Sequence, residues 1–211
     1  MMVALLPVKS PRNAKQRLVG FLSPEQRETL ARAMFEEVLA TLCSVRGLDR
    51  IAVATSDLTI AQRARDAGVE VFEEQEQLGH SHSADVASRR AAELGATSVL
   101  LVPIDVPLVT RQEIESLIED ARHGVIVVPS GDGTGTNALV RTPPNAIKAC
   151  FGPHSFRAHC GQAETLGIPL KVMRPPGLLF DIDTPEDVAE LMLRAPDSPI
   201  ARLLRSQTAS I

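Results

Sequence analysis

Short apolar runs alternate with amphipathic stretches along most of the chain. Continuous apolar runs, such as residues 3–8 and 98–103, predict buried strands. Leu30, Met34, Val38 and Leu42 recur at every fourth position and predict a helix with one apolar face. Such alternation of strands and helices is typical of an α/β fold in which helices cover both faces of one sheet. We therefore expect a three-layer α/β/α unit with a mixed, mostly parallel sheet.

The same pattern predicts where the individual elements lie. Strands are predicted at residues 3–8, 50–55, 69–72, 98–103, 125–128, 137–140 and 170–173. Helices are predicted at residues 24–43, 58–67, 84–94 and 155–166, and after the N-caps Thr110 and Thr184. The glycine-rich turn at residues 131–135 predicts a hairpin, so one strand should run antiparallel to its neighbours.

The length of 211 residues suits one large domain or two small ones. No repeat, linker or low-complexity segment divides the chain, so we expect one domain at residues 1–195. Residues 196–211 are expected to form a loosely held C-terminal tail, in which Ile200, Leu203 and Leu204 are the candidates for docking.

Composition excludes several classes of function. The net charge is −4 and aromatic residues make up 3% of the chain, with no Trp or Tyr, which argues against a nucleic-acid partner. No apolar run approaches the ~20 residues of a membrane span, so no membrane partner is expected. Three scattered cysteines do not form a disulfide framework, and a reducing, cytoplasmic location is expected.

Four cations follow the first predicted strand within nine residues: Lys9, Arg12, Lys15 and Arg17. Ligands of open α/β sheets bind at the carboxyl ends of the strands, where this segment lies. Half of the lysines of an acidic chain are concentrated here, which favours phosphate binding. A solvated basic loop is an equally weighted interpretation of these residues alone.

Carboxylates occur at two places that suit a metal site. Asp105 follows the most apolar predicted strand, and Asp181 and Asp183 share one face of an extended segment. Mg²⁺ on a nucleotide takes one or two carboxylates together with phosphate oxygens, so we expect Mg²⁺ at these residues. The alternative for Asp105 is a turn-forming or helix-capping role, although Thr110 is already the predicted N-cap of the helix that follows.

Two further segments could surround an anion. Residues 130–137 contain the glycine-rich turn, which is followed by Thr136, and Gly152 and Ser155 open a predicted helix. Taken singly, each is explained as well by a hairpin turn or a helix N-cap. The scattered His and Cys residues do not match a zinc site, and no nucleophile elbow is present.

Five motifs in one order resemble the 2-phospho-L-lactate/phosphoenolpyruvate guanylyltransferase family of coenzyme F-420 biosynthesis. They are LLPVKSPRNAKQRL, VPIDVPLVT, VVPSGDGTGTNALV, FGPHSF and FDIDTPEDV, and the resemblance extends from about Leu5 to Leu191. The GTNAL and FGPHSF pieces are the specific ones. The others are shared with wider nucleotidyltransferases of glycosyltransferase-A-like fold, so a molybdopterin-type nucleotidyltransferase and a non-catalytic nucleotide-binding protein are the alternatives.

The resemblance implies an enzyme that uses GTP and Mg²⁺, joins GMP to the phosphate of a small phospho-acid and releases pyrophosphate. It assigns the metal to Asp105 and Asp181, with Asp183 adjacent, and domain 1–195 to nucleotidyl transfer. The remaining implied residues are Lys9, Lys15, Arg17 and Gly79 for the nucleotide, and Thr136, Gly152 and Ser155 for the acid, with Lys15, Arg17 and Asp105 catalytic.

Ser81 stands where the family pattern has Asn, which affects recognition of the nucleoside. The acceptor is left open among 2-phospho-L-lactate, phosphoenolpyruvate and 3-phosphoglycerate, and a homodimer is left open as the assembly.

Overall fold

A computed structural model describes residues 1–76, 78–121 and 124–208. The strands are β1 (Met2–Pro7), β2 (Arg50–Thr55), β3 (Glu70–Glu73), β4 (Ser98–Leu101), β5 (Gly124–Pro129), β6 (Thr136–Thr142) and β7 (Leu170–Val172). The helices are α1 (Pro24–Ser44), α2 (Leu58–Asp66), α3 (His80–Glu93), α4 (Arg111–Asp120), α5 (Ser155–Thr165), α6 (Pro185–Arg194) and α7 (Pro199–Thr208). Two short 3₁₀ helices, Pro11–Asn13 and Gln16–Leu18, lie between β1 and α1.

In the described part of the chain, seven strands form one sheet in the order β3-β2-β1-β4-β6-β5-β7. Only β6 runs against its neighbours, pairing antiparallel with β4 and β5, while the other pairs are parallel. The predicted mixed, mostly parallel sheet with one hairpin is confirmed. Because β1 and β4 are central, their carboxyl ends open onto the middle of one sheet edge.

The central strand β1 is buried on both faces, which explains why its sequence is continuously apolar. Ala4 and Leu6 pack into one core with α1 and α4, and Val3 and Leu5 pack into a second core with α3 and α5. The three-layer arrangement predicted from the alternation of elements is therefore confirmed.

Helix α3 begins at His80 and not near Ala84, so the predicted start was wrong by four residues. Gly79 occupies the N-cap with φ 119°, a conformation that favours glycine, and its carbonyl accepts the first helical hydrogen bond from Ser83. No side chain caps this helix, so the sequence carried none of the usual start signals. As a result, His80 and Ser81 lie in the first turn of α3 rather than in a loop.

Residues 196–208, the described part of the expected C-terminal tail, are not loosely held. Residues 199–208 form α7, in which Ile200 and Leu204 are buried against Leu30 and Met34 of α1. The docking that the sequence allowed for Ile200 and Leu204 thus takes place. Of the described helices, none combines the length and apolarity needed to cross a membrane.

Candidate functional site

A cleft at the carboxyl ends of β1 and β4 contains most of the predicted site residues. It consists of two adjoining cavities, which we call the basic lobe and the turn lobe. The basic lobe, about 540 Å³, is walled by the loop that carries Lys9, Lys15 and Arg17. The turn lobe, about 450 Å³, is walled by the glycine-rich turn, Thr136 and Gly152. Both lobes share the following residues: Lys9, Arg17, His80, Pro103, Asp105 and Asp183.

Lys15 is held at the centre of this cleft by two carboxylates. Its Nζ donates to Asp183 Oδ1 at 2.9 Å and to Asp105 Oδ2 at 3.3 Å, and its side chain is 6% exposed. Burial alone would lower the pKa of Lys15, but the charges of Asp105 and Asp183 outweigh it and raise that pKa. An ammonium group has three hydrogens, so one remains for a ligand oxygen.

The backbone at Lys15 adopts φ 52° and ψ 48°, a left-handed conformation that is uncommon for a residue with a side chain. The preceding carbonyl, of Ala14, accepts a hydrogen bond from the buried Arg27 at 3.2 Å. Arg27 on α1 therefore supports the loop at the point where it turns Lys15 into the cleft.

Arg17 and Lys9 differ from Lys15 because both are exposed. The Arg17 side chain is 70% exposed, and its Nη1 lies 3.7 Å from Asp183 Oδ2, which is a loose surface pair. Little holds Arg17 in place, so it is free to turn towards an anion in either lobe. The three cations predicted to bind the nucleotide are thus one fixed cation, Lys15, and two exposed ones, Lys9 and Arg17.

The predicted carboxylates meet at the boundary between the lobes. The Asp105 carbonyl accepts a hydrogen bond from Ile182 N–H at 3.0 Å, which joins the two acidic segments. Ile182 is buried while Asp181 and Asp183 face the cleft, as the alternation predicted. Asp181 Oδ1 also accepts from Asn137 Nδ2 at 2.9 Å. Burial raises the pKa of Asp181, and the charges of Asp105 and Asp183 raise it further.

The chemistry of this cluster fits a divalent cation. Carboxylate oxygens are the ligands that Mg²⁺ prefers, and the negative charges of Asp105 and Asp183 beside Asp181 favour an added positive charge there. Among the residues described, no group of three or more His, Cys, Asp or Glu side chains is arranged as a ready metal cage. Ligand oxygens would therefore have to complete the coordination, as they do for Mg²⁺ on phosphates.

The glycine-rich turn is organised by one carboxylate. Asp132 accepts hydrogen bonds from Ser130 Oγ at 2.5 Å and from Thr134 N–H at 2.9 Å and Oγ1 at 2.7 Å. These bonds, with that of Ser130 the largest effect, lower the pKa of Asp132 to about 2. A Cβ on Gly135 would come within 2.9 Å of Ser130 Oγ, so the tight turn requires glycine there.

Thr136 and Ser155 meet, but they do not face the cleft equally. Ser155 Oγ donates to Thr136 Oγ1 at 3.1 Å, and Thr136 lines the turn lobe while Ser155 is 1% exposed and lies behind it. Gly152 lines the same lobe with φ 119°, and no protein atom lies within 4 Å of where its Cβ would be. Gly79 immediately precedes His80, and the His80 side chain lines both lobes.

Four residues of the site were missed by sequence reasoning: His80, Asp132, Asn137 and His159. Asn137 and Asp132 belong to the glycine-rich motif already singled out, so their position in that motif was the available signal. His80 packs edge-on against Phe151 with ring centroids 4.8 Å apart, and burial lowers its pKa to about 4. Ser81 Oγ donates to the Phe151 carbonyl at 3.4 Å, so it ties α3 to the loop before α5.

The buried His159 predicts a pH-dependent stability. Burial, followed by the charge of Arg141, lowers its pKa to about 4, whereas unfolded His titrates near 6.5. The contribution of neutral His159 to the free energy of unfolding is therefore complete above pH ~6.5 and is lost as the pH falls towards 4. Linkage gives a loss of about 2 kcal/mol between pH 7 and pH 5.

Urea unfolding of the wild type and His159→Asn at pH 7, 6 and 5 measures this loss. The variant has no group that titrates at this position, so its stability should fall about 2 kcal/mol less over the same interval. Parallel pH dependences in the two proteins would show that His159 is not buried in the neutral form.

Comparison with known proteins gives consistent matches over most of the chain. The family model described as "Guanylyl transferase CofC like" matches residues 2–211. The phosphoenolpyruvate guanylyltransferase of Sphaerobacter thermophilus is 34% identical over 195 residues, covering 92% of this chain and 94% of that protein. The 2-phospho-L-lactate guanylyltransferase of Methanothermobacter thermautotrophicus is 30% identical over 202 residues, covering 96% and 89%. The 3-phospho-D-glycerate guanylyltransferase of Colwellia psychrerythraea is 34% identical over 202 residues, covering 95% and 94%.

Solved structures support the fold. A protein of Desulfovibrio desulfuricans G20, named as a candidate nucleotide-diphospho-sugar transferase, has a TM-score of 0.78 at 16% identity, covering 99% of this chain and 95% of its own. A nucleotidyl transferase of Methanothermobacter thermautotrophicus has a TM-score of 0.66 at 15% identity, covering 98% and 99%. The glycosyltransferase-A-like fold that the motifs implied is therefore confirmed.

Proposed function

The chain belongs to the family of CofC-like guanylyl transferases and is a nucleotidyltransferase, and we propose that it joins GMP from GTP to the phosphate of a small phosphocarboxylic acid. The relatives act, by their names, on phosphoenolpyruvate, 2-phospho-L-lactate and 3-phospho-D-glycerate. All three acids carry a phosphate monoester and a carboxylate, so the acceptor proposed here is that class. The guanylylated acid would enter the biosynthesis of coenzyme F-420.

The observation that carries this proposal is the division of one cleft into two lobes with a shared acidic wall. The basic lobe is large enough for a nucleotide, and its cations, Lys9, Lys15 and Arg17, suit a triphosphate. The turn lobe offers hydroxyl and backbone N–H groups to a smaller anion. Asp105 and Asp183 border both lobes, which is where two bound phosphates would meet.

The chemistry assigned to this arrangement is a direct transfer without a covalent enzyme intermediate. An oxygen of the acceptor phosphate attacks the α-phosphorus of GTP, a new P–O bond forms, and the bond between the α-phosphorus and the α,β-bridging oxygen breaks. Pyrophosphate leaves with the electron pair of that bond. The attacking phosphate is already ionised near pH 7, so no side chain has to remove a proton.

The residues of the cleft act by positioning and by electrostatic stabilisation. Lys15 has one hydrogen free for a phosphate oxygen, and Arg17 is free to follow the charge that develops on the leaving pyrophosphate. Lys9 lies on the common wall and adds positive charge to the nucleotide lobe. Gly79 sets the start of α3, whose N-terminal turn presents His80 to the cleft.

Asp105 and Asp181, with Asp183 adjacent, would hold Mg²⁺. When bound, that ion would neutralise phosphate charge and so favour attack at the α-phosphorus. Without the ion, the negative charge of these three carboxylates would oppose a triphosphate; among the described residues, their ion pairs are with Lys15 and the loosely placed Arg17.

Mass spectrometry of reaction products tests the proposal. The protein is incubated with GTP and Mg²⁺ and, in separate reactions, with each of the three acids. The expected products are the acid joined to GMP through a P–O–P linkage and one pyrophosphate for each such product. CTP and ATP serve as donor controls, and molybdopterin serves as the acceptor of the alternative enzyme class. If no phosphocarboxylic acid accepts GMP and molybdopterin does, the proposed acceptor class is wrong and the enzyme belongs to the alternative class.

A further inference from the structure

His159 lies directly behind the turn lobe and is completely buried. Its Nδ1 is 3.0 Å from Thr136 Oγ1, and its Nε2 accepts a hydrogen bond from Cys150 N–H at 2.9 Å. Phe151 packs edge-on against the imidazole with ring centroids 5.5 Å apart. These contacts hold the ring in one orientation, with one nitrogen towards the backbone and the other towards the lobe.

The contact with Cys150 determines which nitrogen carries the proton. A backbone N–H can only donate, so Nε2 must be the unprotonated nitrogen that accepts. A neutral imidazole then carries its hydrogen on Nδ1, and Nδ1–H donates to Thr136 Oγ1. A second proton on Nε2 would point at the hydrogen of Cys150 N–H, so the imidazolium form does not fit this place.

Hydrogen counting then gives the direction of the hydroxyl groups. Thr136 and Ser155 bring two hydroxyl hydrogens, and one of them is used in the bond between these side chains. Because His159 donates to Thr136, neither hydroxyl can donate to the imidazole, so one hydrogen remains. Thr136 lines the turn lobe and Ser155 does not, so Thr136 offers that hydrogen to the lobe.

The charges around His159 are consistent with a neutral donor. Arg141 and Asp85, whose carboxylate lies 2.7 Å from Arg141 Nη1, are the charged groups whose fields reach the imidazole. The guanidinium opposes a second positive charge on His159, while Asp85 favours one less strongly. Arg141 also donates to the Ile147 carbonyl at 2.7 Å, and Asp85 accepts from Ala149 N–H at 3.1 Å, so the same pair fixes the loop that leads to Cys150.

We propose that His159 is a positioning residue of the acceptor pocket, which by donating Nδ1–H to Thr136 commits the Thr136 hydroxyl to donate to an anionic oxygen of the phospho-acid. This inference rests on the proposed function of the turn lobe. Ser155 acts through Thr136 in the same way, which explains how a buried hydroxyl takes part in binding. His159 thereby makes the pocket selective for a ligand group that accepts hydrogen bonds.

Binding titrations with phosphoenolpyruvate and with GTP test the inference. His159→Leu should weaken phosphoenolpyruvate on the order of tenfold or more and leave GTP within about twofold, because a hydrogen bond to a charged ligand is lost at one lobe only. His159→Asn keeps an N–H near the Nδ1 position and should restore most of the affinity. In a Thr136→Val background, His159→Leu should add less than a further twofold.

Gln162→Leu is the matched control on the same helix. Gln162 bonds to the backbone N–H and carbonyl of Lys148 and to Cys150 Sγ in the loop before α5, and none of these hydrogen bonds involves Thr136. Its loss should leave the affinity for phosphoenolpyruvate within about twofold. Equal losses in the Gln162 and His159 variants, or undiminished loss in the Thr136→Val background, would overturn the inference and leave His159 a packing residue.

A spectrum of the wild type gives a test that needs neither turnover nor a variant. Correlation of the imidazole ¹⁵N and ¹H resonances at pH 7 should show His159 neutral with the hydrogen on Nδ1, the tautomer that is the minor one for free histidine. A hydrogen on Nε2, or an imidazolium, would overturn the inference while the product assay still reports on the function. The reverse combination, Nδ1–H without transfer to any phospho-acid, would reject the proposed function and with it the role of His159 in binding that acid.

Discussion

Asp105→Asn is expected to reduce turnover on the order of 10³-fold and to leave the fold intact. The Asp105 carboxylate borders both lobes, contacts Lys15 and acts electrostatically on Asp181, as Asp183 also does, so its charge reaches both proposed substrate sites and the proposed metal site. Loss of a metal-binding charge removes several kcal/mol of transition-state stabilisation, and each 1.36 kcal/mol is a factor of ten in rate. Single-turnover rates with saturating GTP, Mg²⁺ and acid measure the loss.

The controls separate a lost charge from a damaged structure. Asn is of nearly the same size and still accepts a hydrogen bond from Lys15, and the Asp105 carbonyl that binds Ile182 is unchanged. The melting temperature should therefore stay close to that of the wild type. Asp120→Asn removes a carboxylate that pairs with the exposed Lys171 and should have no effect on rate. Near-normal turnover of Asp105→Asn at ordinary Mg²⁺ would remove Asp105 from the mechanism.

The framework of the fold could be predicted because its signals are local. A central parallel strand is buried on both faces, so its sequence is apolar throughout, as in β1. The predicted N-caps Thr110 and Thr184 are confirmed, and each forms a capping box with a partner three residues away, as Ser23 also does at the start of α1. Ile182 enters the core while Asp181 and Asp183 face the cleft, which alternation in an extended segment requires.

The features that the sequence did not predict depend on distant contacts. Helix α7 is ordered because Ile200 and Leu204 meet Leu30 and Met34, which are about 170 residues earlier in the chain. His159 is indistinguishable from a surface histidine in the sequence, since its partners Thr136 and Cys150 come from other elements. Likewise, sequence spacing could not show that Lys15 is buried between two carboxylates while Arg17, two residues later, is exposed.

Because Lys15 is buried between two carboxylates while Arg17 is exposed, the second large effect is expected in Lys15→Met, which should lose both activity and stability. Methionine retains the apolar part of the side chain in a site where Lys15 is 6% exposed, but it removes the ammonium group. One charge-assisted hydrogen bond to phosphate is worth about 1.5–3 kcal/mol. We therefore expect kcat/KM for GTP to fall by about one to two orders of magnitude.

The loss of stability has a separate cause. Without the ammonium group, Asp105 and Asp183 face each other and Asp181 with no fixed cation between them. Breaking a fully buried pair costs about 3–5 kcal/mol, but these two carboxylates are about one-third exposed, so we expect about 1–2 kcal/mol at pH 7. Lys148→Met, at an exposed lysine outside the cleft, should change neither stability nor kcat/KM.

Added Mg²⁺ distinguishes a shortage of positive charge from a packing defect. A Mg²⁺ ion held by Asp105 and Asp181, with water oxygens completing its coordination, would replace the missing ammonium charge. Millimolar Mg²⁺ without nucleotide should therefore raise the melting temperature of Lys15→Met more than that of the wild type. Arg17→Met, which removes an exposed and loosely paired cation, should lose activity towards GTP but show no such change in stability. If Lys15→Met keeps wild-type kcat/KM for GTP, Lys15 only neutralises the acidic wall, and the triphosphate is bound by Arg17 and Lys9.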